Sequence, residues 1–256
     1  MADSVGSIAK AFAALGVFST SRPEATPSEI AAALRVPRPT VQRILKTLMS
    51  VGAVAQDPVT KRYRLGYRLF ELGTLVAELT EVRRVALSHM VQLRDIVRAG
   101  VYLTIAERHH GLVLEALEPP SGPVMWSRAG VTRPLHAGSM MKVLLAHLPA
   151  AEIDAVIRAG LGKVGPKTIT SRAELLRDLE TIRKRGYAFS HDEYGSGGFG
   201  ISAPIRGGNG SVIAGVGVGI QAHQFMKSRM PDVVRAVKAT AARISAELGY
   251  KDLRSS

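Results

Sequence analysis

Residues 26–66 constrain this chain more than any other stretch. The segment TPSEIAAALRVPRPTVQRILKTLMSVGAVAQDPVTKRYRLG encodes two short amphipathic helices, a turn and a basic hairpin. Thr26 and Glu29 have the T-x-x-E spacing of a capping box, and Pro27 sits at the first helical position. Ile30, Ala33 and Leu34 follow at i, i+3 and i+4, an apolar stripe. Pro37 and Pro39 each turn the preceding residue away from helix. Pro39 itself suits the first turn of a second helix, where a missing N–H costs little. In that second helix Val41, Ile44, Leu45 and Leu48 fall at i, i+3, i+4 and i+7 and make one buried face. Gly52 closes it as a C′ glycine.

The remaining faces of the second helix carry Arg38, Thr40, Gln42, Arg43, Lys46 and Thr47. Arginine can bind guanine, and glutamine adenine, through paired hydrogen bonds in the major groove. Val54 to Leu65 then reads as a hairpin that turns at Asp57-Pro58 and returns through Lys61, Arg62 and Arg64. A basic hairpin beside a recognition helix is a wing, placed for phosphates or a minor groove. An ordinary helical hairpin with a solvated basic face explains the charge. It does not explain why turn, helix polarity and wing coincide. The expected DNA-contacting residues are Arg38, Thr40, Gln42, Arg43, Lys46, Thr47, Lys61 and Arg62, and the expected partner is a double-stranded DNA operator.

Charge supports a polyanionic partner. The formal net charge is +13, and residues 1–66 hold nine Lys/Arg against four Asp/Glu. Charge alone speaks to solubility and steering rather than to function. The chain has no cysteine, so disulfides and thiolate metal sites are excluded. No apolar run approaches the roughly 18 residues of a membrane span, and MADSVGSIAK has no signal-peptide pattern. The expected setting is cytoplasmic, with no membrane association.

At 256 residues the chain can form two ordinary domains. Ser4 to Phe18 is an expected opening helix with Val5, Ile8, Phe12, Leu15 and Phe18 inward. Residues 67–83 read as a linker helix and Val85–Val97 as a second helix. The texture then changes to strands at 101–107, 112–118, 123–127, 187–191, 201–205 and 211–220. Helices are expected at 140–148, 151–159, from the Ser171/Glu174 capping box to Gly186, and from Pro231 onward. The fold class is α+β. The expected domains are 1–66 (winged helix-turn-helix), 67–84 (linker helix) and 85–256 (mixed antiparallel α+β domain).

With these motifs in place, the chain resembles the IclR family of bacterial transcription regulators over nearly its whole length. The resemblance rests on VPRPTVQRIL followed by DPVTKRYRLG, then on RPLHAGSMMKVLLAHLP, LETIRKRGYAF and APIRGGNGSVIAGVGV, in the family's order and spacing. It implies a GAF-like C-terminal domain that binds a small organic effector, a repressor function, and a homodimer or tetramer on a partly palindromic operator. Laid onto this chain, the family's effector loop falls at Ser139 and Met140. Its acidic residue falls at Ser190, its cysteine at Gly200, and its two serines at Gly217 and Gly219. Ser202 on the Ala-Pro strand and His136 beside the loop join the candidate set.

Three glycines in place of polar side chains suggest a roomier, less polar cavity than a tiny carboxylate needs. Met125, Trp126 and Met140 are candidate walls, and such walls suit aromatic ligands. The effector expected from this pattern is an aromatic acid or a derivative of one. Trp126 in the core is the competing reading.

Other motifs carry no chemistry. GSGGFG (195–200) has the G-x-G-x-x-G pattern but precedes a strand with Pro204, where a dinucleotide fingerprint needs a helix. A flexible glycine loop is the better reading, and a cover over the effector cavity is the alternative. His191, Asp192 and Glu193 are consecutive, so a strand points them to alternate faces, and no histidine pair has ligand spacing. No cofactor or metal is expected. No G-x-S-x-G or Walker motif is present, and the sequence supplies no catalytic pair, so the chain is not expected to be an enzyme. The alternative function is a small-molecule binding protein, or an enzyme, whose N-terminal domain serves association only.

Overall fold

The computed structural model describes residues 6–120, 127–195, 197–221 and 227–251. The chain divides into two compact units, residues 1–79 and 80–256.

The first unit contains α1 (Gly6–Leu15), β1 (Glu24–Ala25), α2 (Pro27–Leu34), α3 (Arg38–Ser50), β2 (Val54–Gln56), β3 (Tyr63–Leu65) and α4 (Tyr67–Leu79). The Thr26 capping box is complete. The Thr26 hydroxyl accepts from Glu29 N–H at 3.3 Å, and the Glu29 carboxylate accepts from Thr26 N–H at 2.6 Å. At the other end of α3, Gly52 is left-handed (φ +73°). Gly52 N–H donates to Met49 C=O, and Ala53 N–H donates to Leu48 C=O. Those two bonds make a Schellman cap, which turns the chain sharply into β2. Ile30, Val41, Leu45 and Leu48 are buried with Ala14, Ala25 and Val54 in one core.

The wing is a three-stranded antiparallel sheet, β1-β3-β2. Its turn is held by Asp57, whose Oδ1 accepts from Val59 N–H, Thr60 N–H and the Thr60 hydroxyl. Those bonds favour the ionised carboxyl and lower its pKa. Strand β1 was not expected. Two residues carry no period, and only pairing with Arg64 and Tyr63 makes them a strand.

Two helical expectations are corrected. Ile8 and Phe12 are exposed (57% and 70%), while Ala14 is the buried residue of α1. Leu15 packs partly against the core as expected, beside Ala11, and Phe18 just beyond the helix is buried. Val5 lies outside the described residues. The linker helix stops at Leu79, and Thr80 leaves the helical region before α5 (Glu81–Val97) begins. The linker therefore ends before the expected 83–84.

The second unit is an antiparallel sheet with helices on both faces. It contains β4 (Gly100–Glu107), β5 (His110–Leu117), β6 (Thr132–Pro134), α6 (Ser139–Leu145), α7 (Ala150–Arg158), α8 (Arg172–Arg185), β7 (Ala188–His191), β8 (Gly198–Arg206), β9 (Val212–Gln221) and α9 (Met230–Glu247). The strand order is β6-β5-β4-β9-β8-β7. Val101, Leu103, Ile201, Ala203, Val216 and Val218 point to one face and pack against Met90, Leu93, Val237 and Ile244 of α5 and α9. The opposite face presents small or polar residues, Gly200, Ser202, Gly215 and Gly217. A Cβ at Gly215 would meet Val143 at 2.8 Å, so the glycine lets α6 lie close on the sheet. Strand β6 was missed because its three residues, Thr-Arg-Pro, contain no alternation. The strand expected at 123–127 lies largely outside the described residues.

Candidate DNA face and effector cavity

Helix α3 sorts its residues as its period demands. Val41, Leu45 and Leu48 are buried, while Arg38, Gln42, Arg43, Lys46 and Thr47 are exposed. At 100° per residue Arg43 lies almost opposite the buried face, with Lys46 and Thr47 flanking it. Thr40 is half-buried and turned toward α1. With Arg43 and Thr47 it lines a groove that also holds Lys10 of α1. Lys10 was missed as a member of this face because its helix reads as a plain scaffold element in sequence. Among the described residues Arg38, Arg43, Lys46 and Lys61 make no ion pair.

Arg62 differs from the other wing cations. Its guanidinium reaches Glu29 at 2.9 Å and lies 3.9 Å from the Glu24 carboxylate. It also donates to the Glu24 carbonyl. The arginine expected on the DNA face instead ties the wing to the start of α2. Thirty-three residues separate the partners, so no local pattern announces the pair. Lys61, left-handed at φ 58° and exposed, remains on the wing tip.

In the second unit, a cavity of about 520 Å³, counting its open mouth, lies on the α6 side of the sheet. Its lining includes Ser139, Met140, Ser190, Gly200 and Gly219, five of the residues expected there. It also includes Ser127, Arg133, Glu193, Tyr194 and Phe199, which sequence reasoning did not select. Gly195 and Gly198 of the GSGGFG segment line it too, although β8 already begins at Gly198. Met125 and Trp126 lie outside the described residues.

Three expected residues stand back from the cavity. His136 is 3% exposed, and its Nε2 is 2.8 Å from the Gly162 carbonyl, so it ties a loop in place. Ser202 is fully buried, and its hydroxyl is 3.1 Å from that of Ser139. Gly217 is buried beneath Ser202. A Cβ there would lie 2.8 Å from Ser202 Cβ and 2.7 Å from the Ile201 carbonyl.

At Gly200 and Gly217 the room a side chain would take is already filled, so these two glycines do not enlarge the chamber. A Cβ at Gly200 would run into the Ser139 hydroxyl and come within 2.8 Å of that of Ser190. The space a side chain would take at Gly200 is filled by serine hydroxyls, and that at Gly217 by Ser202. A glycine in one strand and a serine in its neighbour are two halves of one packing solution, visible only once the strands are paired. Met140 and Phe199 supply apolar wall beside this hydroxyl-lined floor.

A buried ion cluster holds the cavity's frame. Lys142 is 1% exposed, and its Nζ lies 2.6 Å from Glu193 Oε1 and 2.6 Å from Asp178 Oδ2. The second oxygen of Glu193 accepts from Gly138 N–H at 3.1 Å. Burial raises the Glu193 pKa, and Lys142 opposes that rise. The cluster joins α6, α8 and the loop after β7, so one lysine fixes both the Gly138–Ser139 turn and the Glu193–Tyr194 segment. Glu193 was set aside in sequence as one of three consecutive polar residues. Its role depends on a partner 51 positions away.

Residues 7–58 match the family described as the IclR helix-turn-helix domain, and residues 74–246 match the one described as Bacterial transcriptional regulator IclR C-terminal. The chain belongs to the IclR family of bacterial transcription regulators. It is a ligand-responsive, DNA-binding transcription regulator. Among IclR relatives it is similar to the HTH-type transcriptional regulator KipR of Bacillus subtilis (strain 168). The two are 29% identical over 244 residues, 95% of this chain and 97% of the relative. The crystal structure of a family regulator from Alicyclobacillus acidocaldarius matches with a TM-score of 0.86 and 28% identity, covering 96% of this chain and all of that one. A second structure is an IclR homolog from Microbacterium hydrocarbonoxydans complexed with 4-hydroxybenzoate. It matches with a TM-score of 0.82 and 28% identity over 98% of this chain and 100% of its own. Among the described residues no helix is long and apolar enough to cross a membrane.

Proposed function

We propose that this IclR-family chain is a repressor that reads its operator with α3 and the wing tip, and that an aromatic acid or a derivative of one, bound in the cavity behind α6, releases it. The observation that carries the reading is the cavity itself, a hydroxyl-lined floor with Met140, Phe199 and Tyr194 in its lining. The 4-hydroxybenzoate held by the Microbacterium homolog supports an aromatic occupant. Operator and effector affinities must then be coupled, each changing the other by the same factor.

The DNA face in this reading is Arg38, Gln42, Arg43, Lys46, Thr47 and Lys61, with Thr40 and Lys10 at its edge. Arg62 is left out because Glu29 holds it. A homodimer supplies the two readers. Its support is the exposed apolar surface of Ile8, Phe12, Tyr67, Phe70, Leu75 and Leu79 within the first unit, where α4 has no buried residue. An exposed surface of that size and chemistry marks an association site.

The experiment is fluorescence anisotropy of the full chain on DNA from upstream of its own gene, beside a scrambled duplex, across a salt series, with and without 4-hydroxybenzoate. Specific binding that falls steeply with salt is expected, as is release by the acid. Equal weak binding to both duplexes would sink the operator reading. Operator affinity indifferent to every aromatic acid tried would sink the effector class. In the same assay Arg43→Ala is expected to weaken specific binding by about tenfold to a hundredfold, the worth of a bidentate base contact. Binding to the scrambled duplex is expected to change much less. Unaltered operator affinity would remove Arg43 from the reading face.

A further inference from the structure

The cavity has a polar end that the family resemblance did not mark. Ser127 is 5% exposed and lines the cavity, and its hydroxyl has no hydrogen-bond partner among the described residues. A buried hydroxyl left so is costly, and the cost disappears when an incoming acceptor or donor meets it. Arg133, on β6, lines the same cavity with its guanidinium 4.2 Å from the centre of the Tyr194 ring. The ring holds the guanidinium by its face, and a planar guanidinium offers its donors along its edges to a carboxylate. Burial lowers the Arg133 pKa, as it does for any cation drawn from water. Glu193, the carboxylate of this lining, is engaged by Gly138 N–H and by Lys142, which it shares with Asp178.

We propose that Arg133 and Ser127 receive the carboxylate of the effector, so that this regulator selects monoanionic acids over neutral ligands of the same shape. The Tyr194 ring orients the guanidinium, and the serine hydroxyls around Gly200 are left for polar substituents at the other parts of the molecule. The inference rests on the cavity being the effector site. It goes beyond that reading in fixing the ligand's charge and the two residues that recognise it.

The test is calorimetric titration of the full chain with matched pairs: benzoate and benzamide, 4-hydroxybenzoate and 4-hydroxybenzamide, phenylacetate and phenylacetamide. The proteins are the natural sequence, Arg133→Met, Arg133→Lys, Ser127→Ala and Met140→Trp. At least one acid is expected to bind ten times or more tighter than its amide. Arg133→Met is expected to erase that preference by weakening the acid while sparing the amide, and Arg133→Lys to restore part of it. Ser127→Ala is expected to weaken the acid several-fold. Thermal unfolding checks that each variant is folded. Equal affinity for acid and amide, a preference that survives Arg133→Met in a folded protein, or no acid binding at all would overturn the proposal. Met140→Trp fills the cavity and separates the two readings. Ligand binding unaffected by Met140→Trp would overturn the cavity as effector site, and the assignment of Arg133 and Ser127 with it. Binding lost in Met140→Trp with no acid preference in the natural sequence would overturn the charge assignment alone.

Discussion

Lys142→Met is expected to destabilise the protein by about 3–5 kcal/mol, the usual cost of removing one partner from a buried ion pair. Methionine matches the length of the lysine stem, so packing around α6 is largely kept and the loss is electrostatic. The variant leaves Glu193 buried with only Gly138 N–H for company, and Asp178 without its cation. The pH dependence carries a definite sign. The Glu193 pKa is already raised from 4.5 by burial, and losing Lys142 removes what holds it down. Between 4.5 and the raised folded value, the native state binds more protons than the unfolded chain. Stability from this group is therefore gained as pH falls through the folded value and lost as pH rises through it. Denaturant unfolding of the natural sequence and Lys142→Met across that window should show the deficit shrinking toward acid pH. A second change, Glu193→Gln, should recover part of the deficit in the double variant and flatten its pH profile. A deficit below about 1 kcal/mol that does not change with pH would show that the cluster is not what holds this frame.

Gly66→Ala is expected to remove operator binding almost completely. A Cβ at this position would overlap the Gly52 carbonyl oxygen and sit 2.9 Å from its carbon and 3.0 Å from the carbon of Ala53. These are backbone atoms, so no side chain can swing aside. Gly52 is itself fixed by the Schellman cap of α3, and Gly66 N–H donates to the Ala53 carbonyl. The clash therefore falls where the recognition helix ends and the wing returns. Overpacking of this kind costs about 3 kcal/mol, concentrated in the first unit. Anisotropy on the operator should show the loss. The second unit, which keeps its own core, should still unfold cooperatively and bind ligand. Natural operator affinity in Gly66→Ala would mean that the wing root can shift freely, and that the wing is not held in register with α3.

The reading helix was legible in the sequence because its determinants are local. Capping by Thr26 and Glu29, the 3.6-residue period of Val41, Leu45 and Leu48, and the left-handed Gly52 all act within a few residues of one another. The main strands of the second unit were legible for the same reason, since larger apolar residues alternate with small ones along β8 and β9. Short elements such as β1 and β6 were not, because two or three residues contain less than one period.

The cavity was half legible. The loop at Ser139–Met140 and the positions at Ser190, Gly200 and Gly219 were located by resemblance, and they do line it. Arg133, Tyr194 and Ser127 were not, because each belongs to the site through a contact across the fold. Arg133 meets a tyrosine some sixty positions later. The packing at the glycine positions was illegible for a related reason. A strand read alone shows only that Gly200 and Gly217 lack side chains. The neighbouring Ser139, Ser190 and Ser202 hydroxyls occupy that room.

The sequence by itself therefore determined the class of fold and the helix proposed to face DNA. Those rest on periodicity, capping and backbone preference, which act over one or two turns. Only the tertiary structure decided which cations are committed and which face outward. Arg62 is bound to Glu29 and Lys142 to Asp178 and Glu193, while Arg43 and Lys61 make no ion pair among the described residues. Charge acts through space, and the distance that sets its strength is fixed by folding and not by sequence separation.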